Sequence, residues 1–236
     1  MAKKREIYQL IFEFRYDFAP MIWDGAGRIW SDLSNDFKLQ STDVVPNLIK
    51  FTIDEEFEVS IGIEKSSIVW FQKDKAAKNY YHVCSRIIEV CKKYLEIKNY
   101  NRLGERILLL EKTETTKDAS EKLHKYNLIK KFKGEFFNIK GEQPFGDCAI
   151  KWEDEDIGTT VRLSVFDQTL NINTQPMFSR FVPATEIQKE IKISGVLYDV
   201  DYFTKKKVSA AQLKADEWLK QAVELIENDL DKFLVS

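Results

Sequence analysis

A long, nearly continuous apolar segment reads Ile191-Lys192-Ile193-Ser194-Gly195-Val196-Leu197-Tyr198-Asp199-Val200-Asp201-Tyr202-Phe203. Apart from its two aspartates it is apolar at both odd and even positions, which is typical of a central β-strand. A basic turn follows, and Ser209 and Gln212 have the spacing of a helix capping box. One helical stripe then continues through Ala211, Ala215, Trp218, Ala222, Leu225, Ile226, Leu230 and Phe233. The segment therefore predicts a buried strand followed by a long helix that lies across its sheet.

The N-terminal part of the chain predicts the same kind of structure. Alternation from Tyr8 to Phe18 indicates a half-buried strand, and Pro20 opens a helix in which Ile22, Trp23, Ile29, Trp30 and Leu33 share a face. Further strands are predicted at 48–53, 57–63 and 68–72, then an amphipathic helix at 76–97 and a buried strand at 102–110. Gly104 in that strand indicates a bulge or a close backbone approach.

The second half repeats this order with a polar, basic interruption. A short helix is predicted from Asp118, with strands at 134–139, 148–153 and 159–166. The acidic tip at 154–156 predicts a hairpin between the last two strands. We therefore expect an α+β fold in which antiparallel sheets are each packed by a long amphipathic helix. Two similar halves, at 1–112 and 113–236, are expected, and one continuous domain is the alternative.

Composition restricts the class of protein. The chain has 236 residues, 44% hydrophobic and 31% charged, with a formal net charge of -2, so charge alone favours neither nucleic acid nor anionic lipid. No apolar run is long enough for a transmembrane helix. Cys84, Cys91 and Cys148 show no pairing pattern, which favours a reducing compartment. We expect a cytoplasmic protein without a membrane partner.

Asp199 and Asp201 are the candidate catalytic residues. Two positions apart on a strand, they share a face with Cα atoms roughly 6–7 Å apart. Such a pair can share Mg²⁺ or Mn²⁺, or divide the roles of acid and base. The alternative is that both lie at the end of the strand, where they are solvent-exposed, cap turns through backbone N–H groups, or pair with basic side chains, for which Arg102 and Arg106 are possible partners. We expect the second arrangement, with no metal and no cofactor.

A local basic patch is the candidate contact for nucleic acid or another ligand. Its main residues are Lys122, Lys125, Lys130 and Lys131, and aromatic residues lie nearby in the sequence. Basic side chains interleaved with aromatic rings suit single-stranded nucleic acid. The alternative is a solvated helix face above core aromatics, and the sequence alone leaves both interpretations open.

Three stretches together resemble a known group of proteins. They are the strand 8–16, the segment Arg102-Leu103-Gly104-Glu105-Arg106-Ile107, and the strand with Asp199 and Asp201 followed by the Trp218 helix. This combination is similar to a sporadically distributed family of prokaryotic proteins of about this length. Glu105 stands where the family pattern has an apolar residue. The resemblance implies no particular activity, but the patchy distribution of the family suggests gene transfer and defence against mobile elements.

The sequence supports three hypotheses for function. The first is a non-catalytic binding or assembly module that acts with a separate effector, through a protein partner or by self-association. The second is a metal-dependent enzyme that acts on phosphoester bonds through Asp199 and Asp201. The third is a nucleic-acid binder that works through residues 122–133. The first is the expected function, because no recognisable catalytic cluster occurs in the sequence.

Overall fold

The computed structural model describes residues 5–45, 47–71, 78–126, 128, 133–136, 139–142, 147–174 and 187–235. The helices in this part of the chain are α1 (Ile22–Leu33), α2 (Lys78–Tyr94), α3 (Thr116–Lys125) and α4 (Ala215–Val235). The strands are β1 (Glu6–Tyr16), β2 (Leu39–Val45), β3 (Leu48–Ile53), β4 (Phe57–Gly62), β5 (Lys65–Phe71), β6 (Asn99–Thr113), β7 (Lys133–Phe136), β8 (Ile139–Glu142), β9 (Cys148–Glu153), β10 (Ile157–Thr174), β11 (Ile187–Thr204) and β12 (Val208–Ser209). The fold is α+β, as predicted.

Ten of these strands form one large antiparallel sheet. Its order is β2-β3-β4-β5-β1-β6-β11-β10-β9, with β12 paired to β6, while β7 and β8 form a separate ribbon. The N-terminal strand β1 therefore lies in the interior of the sheet, between β5 and β6. Residues directly opposite each other share a face, and the register sets Leu10 opposite Trp70 and Phe12 opposite Ile68. All four of these side chains are buried.

Three helices have aromatic contacts with this buried face. Trp218 on α4 contacts the rings of Phe12 and Tyr202, each at 6.1 Å between centroids. Tyr80 on α2 contacts Trp70 at 6.1 Å. Trp30 on α1 contacts Phe51 edge-on at 5.9 Å. One face of the sheet therefore meets α1, α2 and α4.

The contacts among its residues divide the chain into two compact units, and each unit is made of segments that are separate in the sequence. The larger comprises residues 7–109, 149–161 and 198–236. The smaller comprises residues 1–6, 110–148 and 162–197, which include α3 and the β7–β8 ribbon. The predicted boundary between residues 112 and 113 stays a prediction.

Several sequence predictions are wrong in detail. Strand β2 was not predicted, and Phe18 and Trp23, expected on buried faces, are exposed. Phe18 lies beyond the end of β1, where alternation no longer places a side chain in the core. The stripe on α4 is also rotated, because Leu219 and Val223 are buried while Leu225 is exposed.

The predicted capping box at Ser209 and Gln212 is wrong as well. Ser209 belongs to β12, where it pairs with Asn99, so its backbone is committed to the sheet. The backbone N–H groups of Gln212 and Leu213 both donate to the Ser209 carbonyl at 3.1 Å, which makes a turn. The helix begins only at Ala215.

The hairpin predicted at the acidic tip 154–156 is confirmed. The Asp154 backbone N–H donates to the Ile157 carbonyl at 3.0 Å. The Asp154 carboxylate accepts from the backbone N–H groups of Asp156 and Ile157 at 2.7 Å each.

None of the helices in the described ranges combines the length and apolar content needed to cross a bilayer.

Candidate functional site

Asp199 and Asp201 lie on β11 and are both engaged by arginines of the neighbouring strand β6. The Nε and Nη2 atoms of Arg106 donate to the two carboxylate oxygens of Asp199, at 2.6 Å each. Nη2 of Arg102 donates to Asp201 at 2.8 Å. The pairing with Arg102 and Arg106 that the sequence suggested is therefore confirmed.

The ion pairs continue onto β1. Nη1 of Arg102 donates to Glu13 at 2.8 Å, so the guanidinium bridges Glu13 and Asp201. Glu13 also accepts from Nε of Arg15 at 2.8 Å and lies 3.4 Å from Nζ of Lys65. We call Glu13, Arg102, Arg106, Asp199 and Asp201 the charged ladder.

The pKa shifts in the charged ladder reflect partial burial opposed by the ion pairs. Burial raises the pKa of Glu13, but the hydrogen bond and charge of Arg15, with Lys65 and Arg102, outweigh it and hold the pKa below its usual value. Burial raises the pKa of Asp201 despite the neighbouring Arg102. The hydrogen bond to Asp199 raises the pKa of Arg106.

This arrangement is chemically better suited to cross-linking strands than to holding a divalent cation. Both carboxylates already face a guanidinium group, and a cation placed between them would be repelled by Arg102 and Arg106. Among the residues described, no group of three or more His, Cys, Asp or Glu side chains is arranged to hold a metal. The charged ladder therefore ties β1, β6 and β11 together.

An aromatic ring extends the charged ladder toward β10. The Arg102 guanidinium lies over the Phe203 ring, 4.4 Å from its centroid. The other neighbour of that ring is Gly158 on β10, where a Cβ would lie only 2.4 Å from a ring carbon. A larger residue at position 158 would therefore force the Phe203 ring to move away from Gly158.

The nearest neighbour of Gly104 is a side chain, whereas the bulge predicted there stays a prediction. The atoms nearest to a Cβ at this position belong to the Arg102 guanidinium, 3.4–3.5 Å away. It is therefore a side chain, and not a backbone, that passes over Gly104. The Arg102 side chain therefore lies along β6 past Gly104. There its guanidinium donates to Glu13 on β1 and to Asp201 on β11.

Glu105 has the most unusual environment, and sequence reasoning gave it no role. It is 0% exposed. The Tyr80 hydroxyl on α2 donates to its carboxyl group, whose oxygens lie 2.9 and 2.8 Å away. Burial raises the pKa of Glu105 well above its usual value, the Tyr80 hydrogen bond opposes this, and the charge of Asp201 adds to it. Burial at this apolar core position therefore disfavours the ionised form of Glu105.

The basic patch is described only in part, because Lys130 and Lys131 lie outside the described residues. Lys122 on α3 is ion-paired with the buried carboxylate of Glu111, whereas Lys125 is exposed in the last turn of the same helix. Helix α3 begins with a capping box between Thr115 and Asp118. Of the two candidate lysines among the described residues, Lys122 therefore has an intramolecular partner.

An apolar cleft that the sequence did not predict lies between α4 and the strands β9, β10 and β11. Its volume is about 290 Å³. Two large apolar side chains at the cleft are exposed, Trp152 at 47% and Leu225 at 41%. The cleft is lined by Trp152, Thr159, Val161, Val200, Tyr202, Leu225, Ile226, Asp229, Leu230 and Phe233.

An edge-to-face contact between Trp152 on β9 and Phe233 on α4 links the two walls of the cleft, with centroids 5.2 Å apart. Asp229 is the charged residue of the lining and accepts from Lys232 at 2.6 Å. An open apolar concavity with one carboxylate can receive an apolar side chain that has a basic neighbour. The sequence did not mark this cleft, because Leu225 was predicted on the buried stripe of α4 and only the structure shows that it is exposed.

A second groove, between α2 and α4, is polar. It is lined by Tyr81, His82, Ser85, Glu89, Asp216, Lys220 and Glu224. Lys220 lies over the Tyr81 ring, 5.7 Å from its centroid. The ring of His82 packs edge-on against Phe37 at 5.9 Å. This groove differs from the cleft in the much larger polar share of its lining.

No protein-family model matches this chain, and no curated protein matches it significantly. The resemblance to the sporadically distributed prokaryotic family therefore stays a prediction.

Proposed function

We propose that this protein is a non-catalytic binding module that acts with a separate effector, and that its apolar cleft receives an apolar side chain of a protein partner. The observation that carries the proposal is the exposure of Trp152 and Leu225 at a concave apolar surface. Large apolar side chains exposed together at a concavity are typical of binding sites. Aromatic residues such as Trp152 also contribute strongly to binding energy at protein interfaces.

The charge on α4 indicates the chemistry of the partner. Residues 224–231 include Glu224, Glu227, Asp229 and Asp231 and no basic residue. Burial and the nearby charge of Glu224 raise the pKa of Glu227, as expected where negative charges lie close together. Of these acids, Asp229 is the one in the lining of the cleft, so a partner segment with a large apolar side chain beside a Lys or Arg that reaches Asp229 would complement it.

Selection from a random peptide library displayed on phage tests this proposal. We expect enrichment of peptides that place an aromatic or long aliphatic residue beside basic residues. Leu225→Ser should weaken binding of the selected peptides about tenfold or more, because it removes apolar surface from the cleft. Met21→Ser is the matched control, since Met21 is 40% exposed and lies directly before α1, outside the cleft. Equal binding by both variants would show that the peptides bind elsewhere.

The metal-dependent enzyme remains the alternative proposal. It requires Asp199 and Asp201 to hold Mg²⁺ or Mn²⁺ for work on phosphoester bonds, and each would first have to release its arginine. Metal-dependent thermal stabilisation that is abolished by the Asp199→Asn, Asp201→Asn double variant would support it. The nucleic-acid alternative through Lys122, Lys125, Lys130 and Lys131 would give salt-dependent binding to single-stranded oligonucleotides.

The wider setting of the module also belongs to the proposal. We retain a protein partner, with self-association as a second form of assembly, a role beside an effector in defence against mobile elements, and a cytoplasmic location. The proposal also includes two similar sheet-and-helix halves divided near residue 112. The identity of the neighbouring genes would test the effector and the defence role, because an adjacent nuclease, protease or ATPase would identify the system.

A further inference from the structure

Strand β9 ends the large sheet, and within the described ranges no strand pairs with its outer edge. Unpaired backbone N–H and C=O groups on an edge strand are a template for pairing with another strand. The side chains of residues 149 and 151–153 are exposed, and those of residues 148 and 150 are half-buried. Four of the six residues of β9 are therefore exposed to solvent.

The two faces of β9 differ in character. Trp152 lines the apolar cleft, and by alternation Ile150 shares its face. Lys151 and Glu153 lie on the opposite face, where Nζ of Lys151 is 2.5 Å from a Glu153 oxygen. A cation and an anion therefore occupy alternate positions on one side of a free edge.

We propose that β9 pairs antiparallel with β9 of a second copy of this chain, about a two-fold axis at Trp152. A two-fold axis normal to the sheet keeps the two faces in register, so residues of like parity lie opposite each other. With Trp152 opposite its counterpart, Lys151 lies opposite Glu153 of the second copy, and Glu153 opposite Lys151. Opposite charges directly across a strand pair are favourable.

The neighbouring registers are less favourable. A two-fold axis at Lys151 would set two lysines opposite each other, and one at Glu153 would set two glutamates opposite each other. An axis at Ile150 would oppose Lys151 to Ala149 and remove both ion pairs. Charge complementarity thus selects the register at Trp152, which also brings two exposed indoles together on the cleft side. The inference does not rest on the peptide ligand of the cleft.

Sedimentation velocity of the full chain over a range of concentrations tests the inference. We expect the wild type to dimerise. Lys151→Glu and Glu153→Lys should each weaken dimerisation about tenfold or more, because each variant sets like charges opposite each other in both pairs. The double variant, Lys151→Glu with Glu153→Lys, restores opposite charges and should dimerise like the wild type.

A mixture of the two single variants gives the most decisive measurement. One copy then carries acids at both positions and the other carries bases, so the mixture should form a heterodimer that neither variant forms alone. Lys214→Glu, at an exposed lysine before α4, is the matched control and should leave dimerisation unchanged. A monomeric wild type, or single variants that dimerise like the wild type, would overturn the inference. A double variant and a mixture that both stay monomeric would do the same.

Discussion

At the scale of single residues, Glu105 shows how a charged residue type can occupy an apolar position. The odd positions Leu103, Glu105 and Ile107 of β6 are all fully buried. A buried carboxylate without a cation is costly, whereas a neutral carboxylic acid with a hydrogen-bond partner is tolerated. The sequence marks Glu105 as an outlier in an apolar strand, but its partner Tyr80 lies 25 residues away on α2.

Replacement of Glu105 by glutamine should change the pH dependence of stability. The folded-state pKa of Glu105 is raised above the ordinary value of 4.5, so the folded protein holds a proton that the unfolded chain loses. The stability of the wild type should therefore fall as the pH rises above about 4.5 toward the folded-state pKa, by at most about 1.4 kcal/mol per pH unit from this group. Glu105→Gln removes this contribution.

Urea unfolding of both proteins between pH 5 and pH 9 measures this effect. The free energy of unfolding of Glu105→Gln, measured relative to that of the wild type at the same pH, should increase as the pH rises. Glu58→Gln, at an exposed position of β4, is the matched control, and its free energy of unfolding should change with pH as that of the wild type does. Parallel curves for Glu105→Gln would mean that Glu105 is ionised in the folded protein.

The cysteines allow a second prediction at this scale. Cys84 and Cys91 are both buried on α2. Burial raises the pKa of Cys84 well above its usual value and that of Cys91 to about 12. Because the thiolate is the reactive form, both should react slowly with a thiol reagent in the native protein, and the less buried Cys148 should react first. Fast labelling of all three thiols would contradict the packing of α2.

At the scale of elements, the sequence predicted which segments form strands and helices better than where each one ends. Strand β3 was predicted with its observed bounds. Helix α2 was predicted three residues too long at its C-terminal end, and its predicted first residues, 76 and 77, lie outside the described residues. The start of α4 was misplaced because Ser209 takes part in long-range pairing with Asn99. Periodicity shows the local preference of a segment, whereas a distant strand can determine its end.

Trp218→Ala should show that α4 is held by aromatic packing against β1 and β11. The indole contacts the rings of Phe12 and Tyr202. Its loss should lower the free energy of unfolding by about 3 kcal/mol, at the lower end for such truncations because Trp218 is only half-buried. Leu225→Ala on the same helix is the matched control and should cost about 0.5 kcal/mol or less. Equal thermal unfolding midpoints for the two variants would contradict this packing.

At the scale of the whole molecule, what could not be predicted is the meeting of segments distant in sequence. Asp199 and Asp201 could be matched with Arg102 and Arg106 from their residue types and strand positions. Glu13 could not, because nothing local places β1 beside β6. The cleft was missed for the same reason, since Trp152, Val200 and Leu225 come together only in the folded chain.

We propose that the protein binds a partner through the cleft, whereas the charged ladder cross-links strands. The direct test is the dissociation constant of a fluorescently labelled selected peptide, measured by anisotropy for three proteins. We predict that Leu225→Ser weakens binding about tenfold or more, and that the Asp199→Asn, Asp201→Asn double variant binds like the wild type. Retained binding by Leu225→Ser, together with loss of binding in the double variant, would contradict it.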